Sequence, residues 1–352
     1  MEDRDNRRYA DVADDLARVY GLHVRSVERT GKGKNSQVYR VVSGNGTPFI
    51  AKYYYRDKLD SRDRLKVEFS SLTFLWKNGV RCIPEPIMAD ERSGSAVYSY
   101  IPGERPSMDD ISNEDIAFAV DFLSTLKDLK VSAGVKDLPA ASEACFSFQE
   151  LLDNIDLRYK RLVEGTVDVA HGAFHEFIDK DFISAFVEIS EWCRSRFRER
   201  SISPDCLAVE GRTLSPSDFG FHNSIRNERG QLFFLDFEYF GWDDPAKTVS
   251  DFILHPAMGL AADRKRVFCA AMLDRFKEYR DLSARVEIYY PLYGLKWCMI
   301  FLNEFLPDQM SRRRFAGCVE QEEEKILGEQ LMKSKNMLKD IAKEYKRFPY
   351  NR

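Results

Sequence analysis

The chain changes character at Ile101-Pro102-Gly103. Ahead of that break, from about Val24, short runs enriched in β-branched and aromatic residues alternate with turns, notably 37–42, 48–54 and 96–101. One helix interrupts them over 61–77, where Leu65, Phe69, Leu72 and Leu75 recur at helical spacing and Gly79 follows the end. From Asn113 onward the periodicity is mainly helical: 116–129, 150–162, 182–198 and 286–305. Strand-like pieces return only between Leu207 and Tyr239, including 231–237 after the turn at 227–230. This pattern predicts an α+β protein with a small antiparallel sheet carrying one helix, followed by a larger helical region. The expected divisions are a helical extension over 1–23, a sheet domain over 24–101, a helical domain over 102–310 and a C-terminal helical segment over 311–352.

A chain of 352 residues, 44% hydrophobic and 13% aromatic, has enough apolar surface for a full core. Its net charge of -4 gives no positive field to concentrate phosphate backbones, so nucleic acid is not an expected partner. Seven scattered cysteines (Cys82, Cys145, Cys193, Cys206, Cys269, Cys298, Cys318) without a Cys-x-x-Cys pair read as free thiols of a reducing compartment. Residues 1–18 are charged where a secretory signal needs an apolar stretch, and no later segment stays apolar long enough to span a bilayer. The expectation is a cytoplasmic protein without a membrane partner.

The chemistry concentrates around Asp218-Phe219-Gly220-Phe221-His222-Asn223, after which the strand-like 232–235 delivers Asp236. Phosphoryl transfer needs a carboxylate to orient and deprotonate an acceptor hydroxyl, and hard oxygen ligands to hold magnesium against the terminal phosphates. Asp218 suits the first task, Asn223 and Asp236 the second. Upstream, 49–52 ends a β-like run with Lys52, the kind of strand lysine that grips the inner phosphates of ATP. Glu68 on the following helix is an acidic partner for it, and Gly31, Gly33, Asn35 and Ser36 form a small-residue turn before a strand, suited to presenting N–H groups to phosphate. Each piece alone has an ordinary explanation, as a surface turn, an exposed lysine or a surface ion pair. Their order along the chain is that of protein kinases.

With those residues in place, the chain resembles the aminoglycoside phosphotransferase and choline kinase family, a branch of the protein-kinase-like bilobal fold, over about 24–305. Leu235-Asp236-Phe237-Glu238 followed by Asp243-Asp244-Pro245-Ala246 is similar to the family's metal-binding Asp and the Asp-Pro-Ala turn after it. The resemblance implies Asp218 as catalytic base, Asn223 and Asp236 as magnesium ligands, Lys52 as phosphate clamp with Glu68 as its anchor, and Tyr98-Ser99-Tyr100-Ile101 as the hinge that receives adenine. One departure is Pro216, two residues before Asp218, where the family often has His; it motivates a pseudokinase or nucleotide-sensing module as the alternative function.

For the acceptor, a small molecule bearing a hydroxyl, the candidate wall is Glu238, Trp242, Asp251, His255, Tyr293, Lys296 and Trp297. A polycation such as an aminoglycoside calls for the carboxylates of Glu238, Asp243, Asp244 and Asp251. Choline or another amino alcohol calls for an aromatic cage, for which Trp242, Tyr293 and Trp297 are available. A sugar or similar polyhydroxylated metabolite is the favoured acceptor, with ATP and Mg2+ as the cofactors.

Overall fold

Buried Tyr39, Val41 and Ser43 alternate along one strand and Ala51 lies opposite on the next, the period-two pattern of a sheet with one face against a core. The computed structural model describes residues 2–30, 36–56, 62–166, 172–307, 309 and 323–350. Five strands, β1 (Val24–Arg29), β2 (Ser36–Ser43), β3 (Pro48–Tyr54), β4 (Pro86–Asp90) and β5 (Ser95–Ser99), form an antiparallel sheet in the order β1-β2-β3-β5-β4. β3 is therefore central, and Lys52 pairs with Val38 on one side and Ala96 on the other. The N-terminal helix α1 (Glu2–Tyr20) places Val12 and Leu16 in one cluster with Tyr39, Val41, Ala51 and Val97, so this extension belongs to the sheet's own core.

The helix expected over 61–77 is α2 (Arg64–Lys77). It starts later because the Asp63 carboxylate caps it, accepting from Lys66 N–H, and Gly79 follows its end at φ +87°. A hairpin of β7 (Ser224–Arg226) and β8 (Leu232–Phe234) packs with this sheet unit although it lies far along the chain. Phe234 N–H donates to Cys82 O, and the backbones of Glu104 and Arg226 exchange hydrogen bonds. That approach explains the Pro102-Gly103 break: at φ +134°, a Cβ on Gly103 would sit 2.3 Å from Arg226 O.

The second unit runs over Pro106–His222 and resumes at Phe240. It contains α3 (Asn113–Asp128), α4 (Phe148–Gly165), α5 (Gly172–Glu176), a π-helical turn and α6 (Ile183–Glu199), then α7 (Pro245–Leu254), α8 (Ala262–Arg275), α9 (Leu282–Leu302) and α10 (Glu323–Glu344). Ser112 and Asp115 close a capping box at the start of α3. The helix expected over 286–305 is α9, which packs against α4, α6, α7 and α10 and is buried almost throughout. α10 comes so close that a Cβ on Gly294 would fall 2.4 Å from Ile341. Two short strands, β6 (Thr213–Ser215) and β9 (Gly241–Asp243), pair beside α7. The Asp-Pro-Ala turn is the start of α7: Asp244 is its N-cap, accepting from Ala246 N–H at 2.8 Å, and Pro245 occupies the first helical position, where a missing N–H costs nothing. The six described cysteines are free thiols, and no helix among the described residues is long and apolar enough to cross a membrane.

Candidate active site

In the sheet unit, Lys52 Nζ donates to Glu68 Oε2 and to Asp236 Oδ1, each at 2.7 Å, with Glu238 Oε2 at 4.0 Å. Burial opposes the ammonium, but the charges of Asp236, Glu68 and Glu238 outweigh it and hold Lys52 well above the ordinary lysine range. Glu68 is fixed from several sides. Tyr54 Oη donates to its Oε2 at 2.7 Å, Phe237 N–H reaches its Oε1 at 3.3 Å, and the Tyr98 and Tyr54 hydroxyls are hydrogen-bonded at 2.7 Å. Burial pushes its carboxyl up despite Lys52. Glu238, with Arg64 Nε 3.7 Å away, is pushed up to about 7 by burial and then by the Asp236 charge, against Lys52 and Arg64.

Three carboxylates thus share one ammonium and one guanidinium. Ligand oxygens of Glu68, Asp236 and Glu238 all lie within 4.8 Å of one another. Asp236 differs from the two glutamates in being 38% exposed and in standing at φ +66°, a left-handed conformation that a non-glycine residue holds only when its surroundings enforce it. Asn223 is brought alongside because its carbonyl accepts from Leu235 N–H at 2.9 Å. An excess of hard anionic oxygen, with one exposed carboxylate and Asn223 lining the same cavity, fits a hard divalent cation.

Lys52, Glu68, Asn223, Asp236, Ser36 and the segment Tyr98-Ser99-Tyr100-Ile101 line one cavity of about 500 Å³, within the range of small-molecule sites. Tyr98 contributes to it while its own hydroxyl is spent on Tyr54, and Ser99 N–H is bonded to Glu85 O. Gly31, Gly33 and Asn35 lie outside the described residues.

Asp218 belongs to the helical unit. β6 ends at Ser215, in the extended conformation that a residue before proline favours. The chain then turns at Ser217, φ +67°. Side chains enforce that turn. Ser217 N–H donates to Ser215 Oγ at 3.0 Å, its hydroxyl donates to Ser142 O at 3.1 Å, and Lys247 Nζ donates to Ser217 Oγ at 2.8 Å. The Asp218 carboxylate, 33% exposed, meets His222 Nε2 at 3.1 Å and His255 Nε2 at 3.2 Å, both on Oδ1. Burial would raise this carboxyl, but the bonds from His222 and His255 outweigh it and hold Asp218 well below the usual carboxylate range.

Among the residues expected to wall the acceptor, Asp251, His255 and Trp297 come together. Trp297 Nε1 donates to Asp251 Oδ1 at 3.0 Å, and its ring stands edge-on to His255 at 4.8 Å between centroids. Lys296 is buried rather than a surface charge. Its ammonium lies 3.1 Å from Glu143 O and 3.5 Å from the Glu143 carboxylate, and burial holds it below its ordinary range. The remaining candidates lie elsewhere. Tyr293 is 1% exposed and packs in the core beside Tyr289, so it offers a ligand no surface. Trp242 is tied to Val135 O through its indole N–H. Glu238 sits in the Lys52 cluster, where burial and two cations account for it. Lys247 is absent from the sequence-based candidates although Asp243 and Asp251 flank it at four-residue spacing, and in the structure it bonds both, at 2.8 and 3.1 Å. Tyr54 and Glu143 carry no local signal.

No family model matches the chain, and no curated protein matches it at a significant level. Solved structures do. A spectinomycin phosphotransferase, solved with ADP and spectinomycin, superposes with a TM-score of 0.63 at 13% identity, covering 96% of this chain and 98% of its own. A choline/ethanolamine kinase family protein from Mesorhizobium loti gives 0.59 at 17%, over 96% and 97%. The choline kinase of Streptococcus pneumoniae gives 0.57 at 16%, over 94% and 98%. The chain therefore has the α+β fold of the protein-kinase-like small-molecule kinases along nearly its whole length, as the resemblance implied.

Proposed function

We propose that this protein is an ATP- and magnesium-dependent phosphotransferase acting on a hydroxyl of a small polyhydroxylated acceptor, such as a sugar. The observation that carries this reading is the Lys52, Glu68 and Asp236 cluster, in one cavity with the segment 98–101 and with Asn223. In this reading the sheet unit is the nucleotide-binding lobe and the helical unit serves the acceptor. Lys52, held between two carboxylates, grips the inner phosphates, and backbone groups of 98–101 receive adenine. Asn223 and Asp236 would hold magnesium, which supplies charge neutralisation at the terminal phosphates. Asp218 orients the acceptor O–H and takes its proton as the new O–P bond forms and the bridging P–O bond to ADP breaks. A carboxylate kept ionised below its usual range is a weak base but a firm acceptor of that hydrogen bond, which suits a loose transition state in which positioning dominates.

The choice of a neutral acceptor follows from charge. Asp243 is 0% exposed against Lys247, and Asp244 is buried against Arg285. Asp251 is engaged by Lys247 and Trp297, and Glu238 lies beside Lys52 and Arg64. The carboxylates that a polycation would need already have internal partners. The aromatic cage for a quaternary ammonium loses Tyr293 to the core.

The deciding experiment is ATP consumption by the purified protein across sugars, amino alcohols and aminoglycosides. Turnover is expected with a sugar or polyol, and hits confined to amino alcohols or aminoglycosides would reassign the acceptor. ATP with magnesium should raise the thermal midpoint, as a ligand at 100 times its Kd adds about 2.7 kcal/mol of stability. In Asp236→Asn the part of that shift requiring magnesium should vanish. A shift in the wild type with no turnover on any acceptor would favour the nucleotide-sensing alternative raised by Pro216. Against that alternative stands the Ser215, Ser217 and Lys247 network, which holds the altered turn without the family's histidine.

A further inference from the structure

Two ring nitrogens converge on one oxygen of Asp218, and for His255 the contact at the ring's other nitrogen fixes the tautomer. Ala257 N–H donates to His255 Nδ1 at 3.2 Å. That nitrogen is therefore an acceptor and bare, so in the neutral ring the proton sits on Nε2 and is donated to Asp218 Oδ1, 3.2 Å away. The same contact weighs against a metal, although donor atoms of Asp218, His222 and His255 lie within 4.8 Å of one another. A metal-ligating histidine donates its second N–H to an acceptor, whereas His255 receives one there. The His222 and His255 rings also stack at 3.8 Å with planes 10° apart, and a single ion cannot lie in both of two parallel ring planes.

The histidine is itself held. Trp297 stands edge-on to the His255 ring and donates to Asp251; Asp251 pairs with Lys247; and Lys247 donates to Ser217, the residue before Asp218. The contacts form a closed circuit, Ser217 to Lys247 to Asp251 to Trp297 to His255 to Asp218, fixing the backbone on one side of Asp218 and its carboxylate on the other.

We propose that His255 is a positioning residue for phosphoryl transfer, a neutral donor locked in the Nε2–H tautomer that, together with His222, clamps Asp218 Oδ1 and sets the plane of the carboxylate that meets the acceptor hydroxyl. This rests on the phosphotransferase reading. The clamp does for Asp218 what the Pro216 turn leaves undone: Ser217 and Lys247 fix the main chain, and the histidines fix the side chain.

Two measurements on the full chain test it. In ¹⁵N-histidine-labelled wild type at neutral pH, His255 should show a protonated Nε2 and a bare Nδ1; a bare Nε2 with Nδ1–H would overturn the proposal. Kinetically, His255→Ala should lower kcat about 10- to 100-fold, the range of a hydrogen bond to a charged group, with KM for ATP unchanged. His255→Gln, whose amide N–H can stand in for Nε2–H, should recover most of that loss. Equal loss in both variants, at wild-type thermal midpoints, would also overturn it. Rates are taken with an acceptor found in the screen, or with water as acceptor. If the wild type turns over no ATP at all, the phosphotransferase reading fails, while the tautomer is still read from the spectrum and decides the clamp by itself.

Discussion

Replacing Asp218 with Asn should lower ATP turnover by about 10²- to 10⁴-fold, the usual contribution of a positioned acid or base. The substitution keeps shape and volume, and its amide oxygen can still accept from His222 and His255 at the place Oδ1 now holds. What it removes is the charge and the capacity to take a proton from the acceptor. KM for ATP should stay near the wild-type value, because Lys52, Glu68, Asn223, Asp236 and the segment 98–101 all belong to the sheet unit and Asp218 does not. Initial rates over a range of ATP concentrations, with thermal midpoints as a folding control, check both halves. An unchanged rate would remove Asp218 from the chemistry; a raised KM with unchanged kcat would recast it as a binding group.

Most of the sheet unit is legible in the sequence because its signals are local. Alternation and aromatic content bound strand β3 correctly, and chain order alone pairs Lys52 with Glu68. The start of α2 falls three residues later than periodicity places it, because apolar spacing does not say where the first turn is capped, whereas Asp63 does. In the site, legibility falls with sequence distance. Trp297 to Asp251, 46 residues apart, and Lys296 to Glu143, 153 apart, leave no trace in a window of any length. Asp243 and Asp251 make a different point. As isolated carboxylates they suggest ligands for a cationic acceptor, yet Lys247 lies midway at four-residue steps on either side and neutralises both, Asp243 from the end of β9 and Asp251 one turn further along α7. Spacing alone therefore contains that pairing, provided the cation between the two acids is weighed with them. Pro216 carries the opposite lesson: its departure from the family pattern is real, but the hydroxyls of Ser215 and Ser217 beside it already mark a turn able to hold itself by side-chain bonds.

Lys247 is where the second large effect is expected. Its ammonium is buried, paired with the fully buried Asp243 at 2.8 Å and with Asp251 at 3.1 Å. Burial disfavours the charge, yet the two carboxylates outweigh burial and hold Lys247 far above the ordinary lysine range. Lys247→Met keeps most of the side-chain volume but leaves Asp243 buried without a counter-charge, which should cost about 3–5 kcal/mol. Urea unfolding should show a lower midpoint at an unchanged slope. The double variant Asp243→Asn with Lys247→Met should recover much of the loss, since the fully buried carboxylate is gone and Asp251, the other partner of Lys247, is partly exposed and keeps its bond from Trp297. Activity should not recover with it, because Ser217 still lacks the donor that holds the turn before Asp218. A double variant that regains stability and full turnover together would confine Lys247 to the fold; regained stability with turnover still depressed would separate its two roles, one in neutralising the helical unit's buried carboxylates and one in holding Asp218 in place.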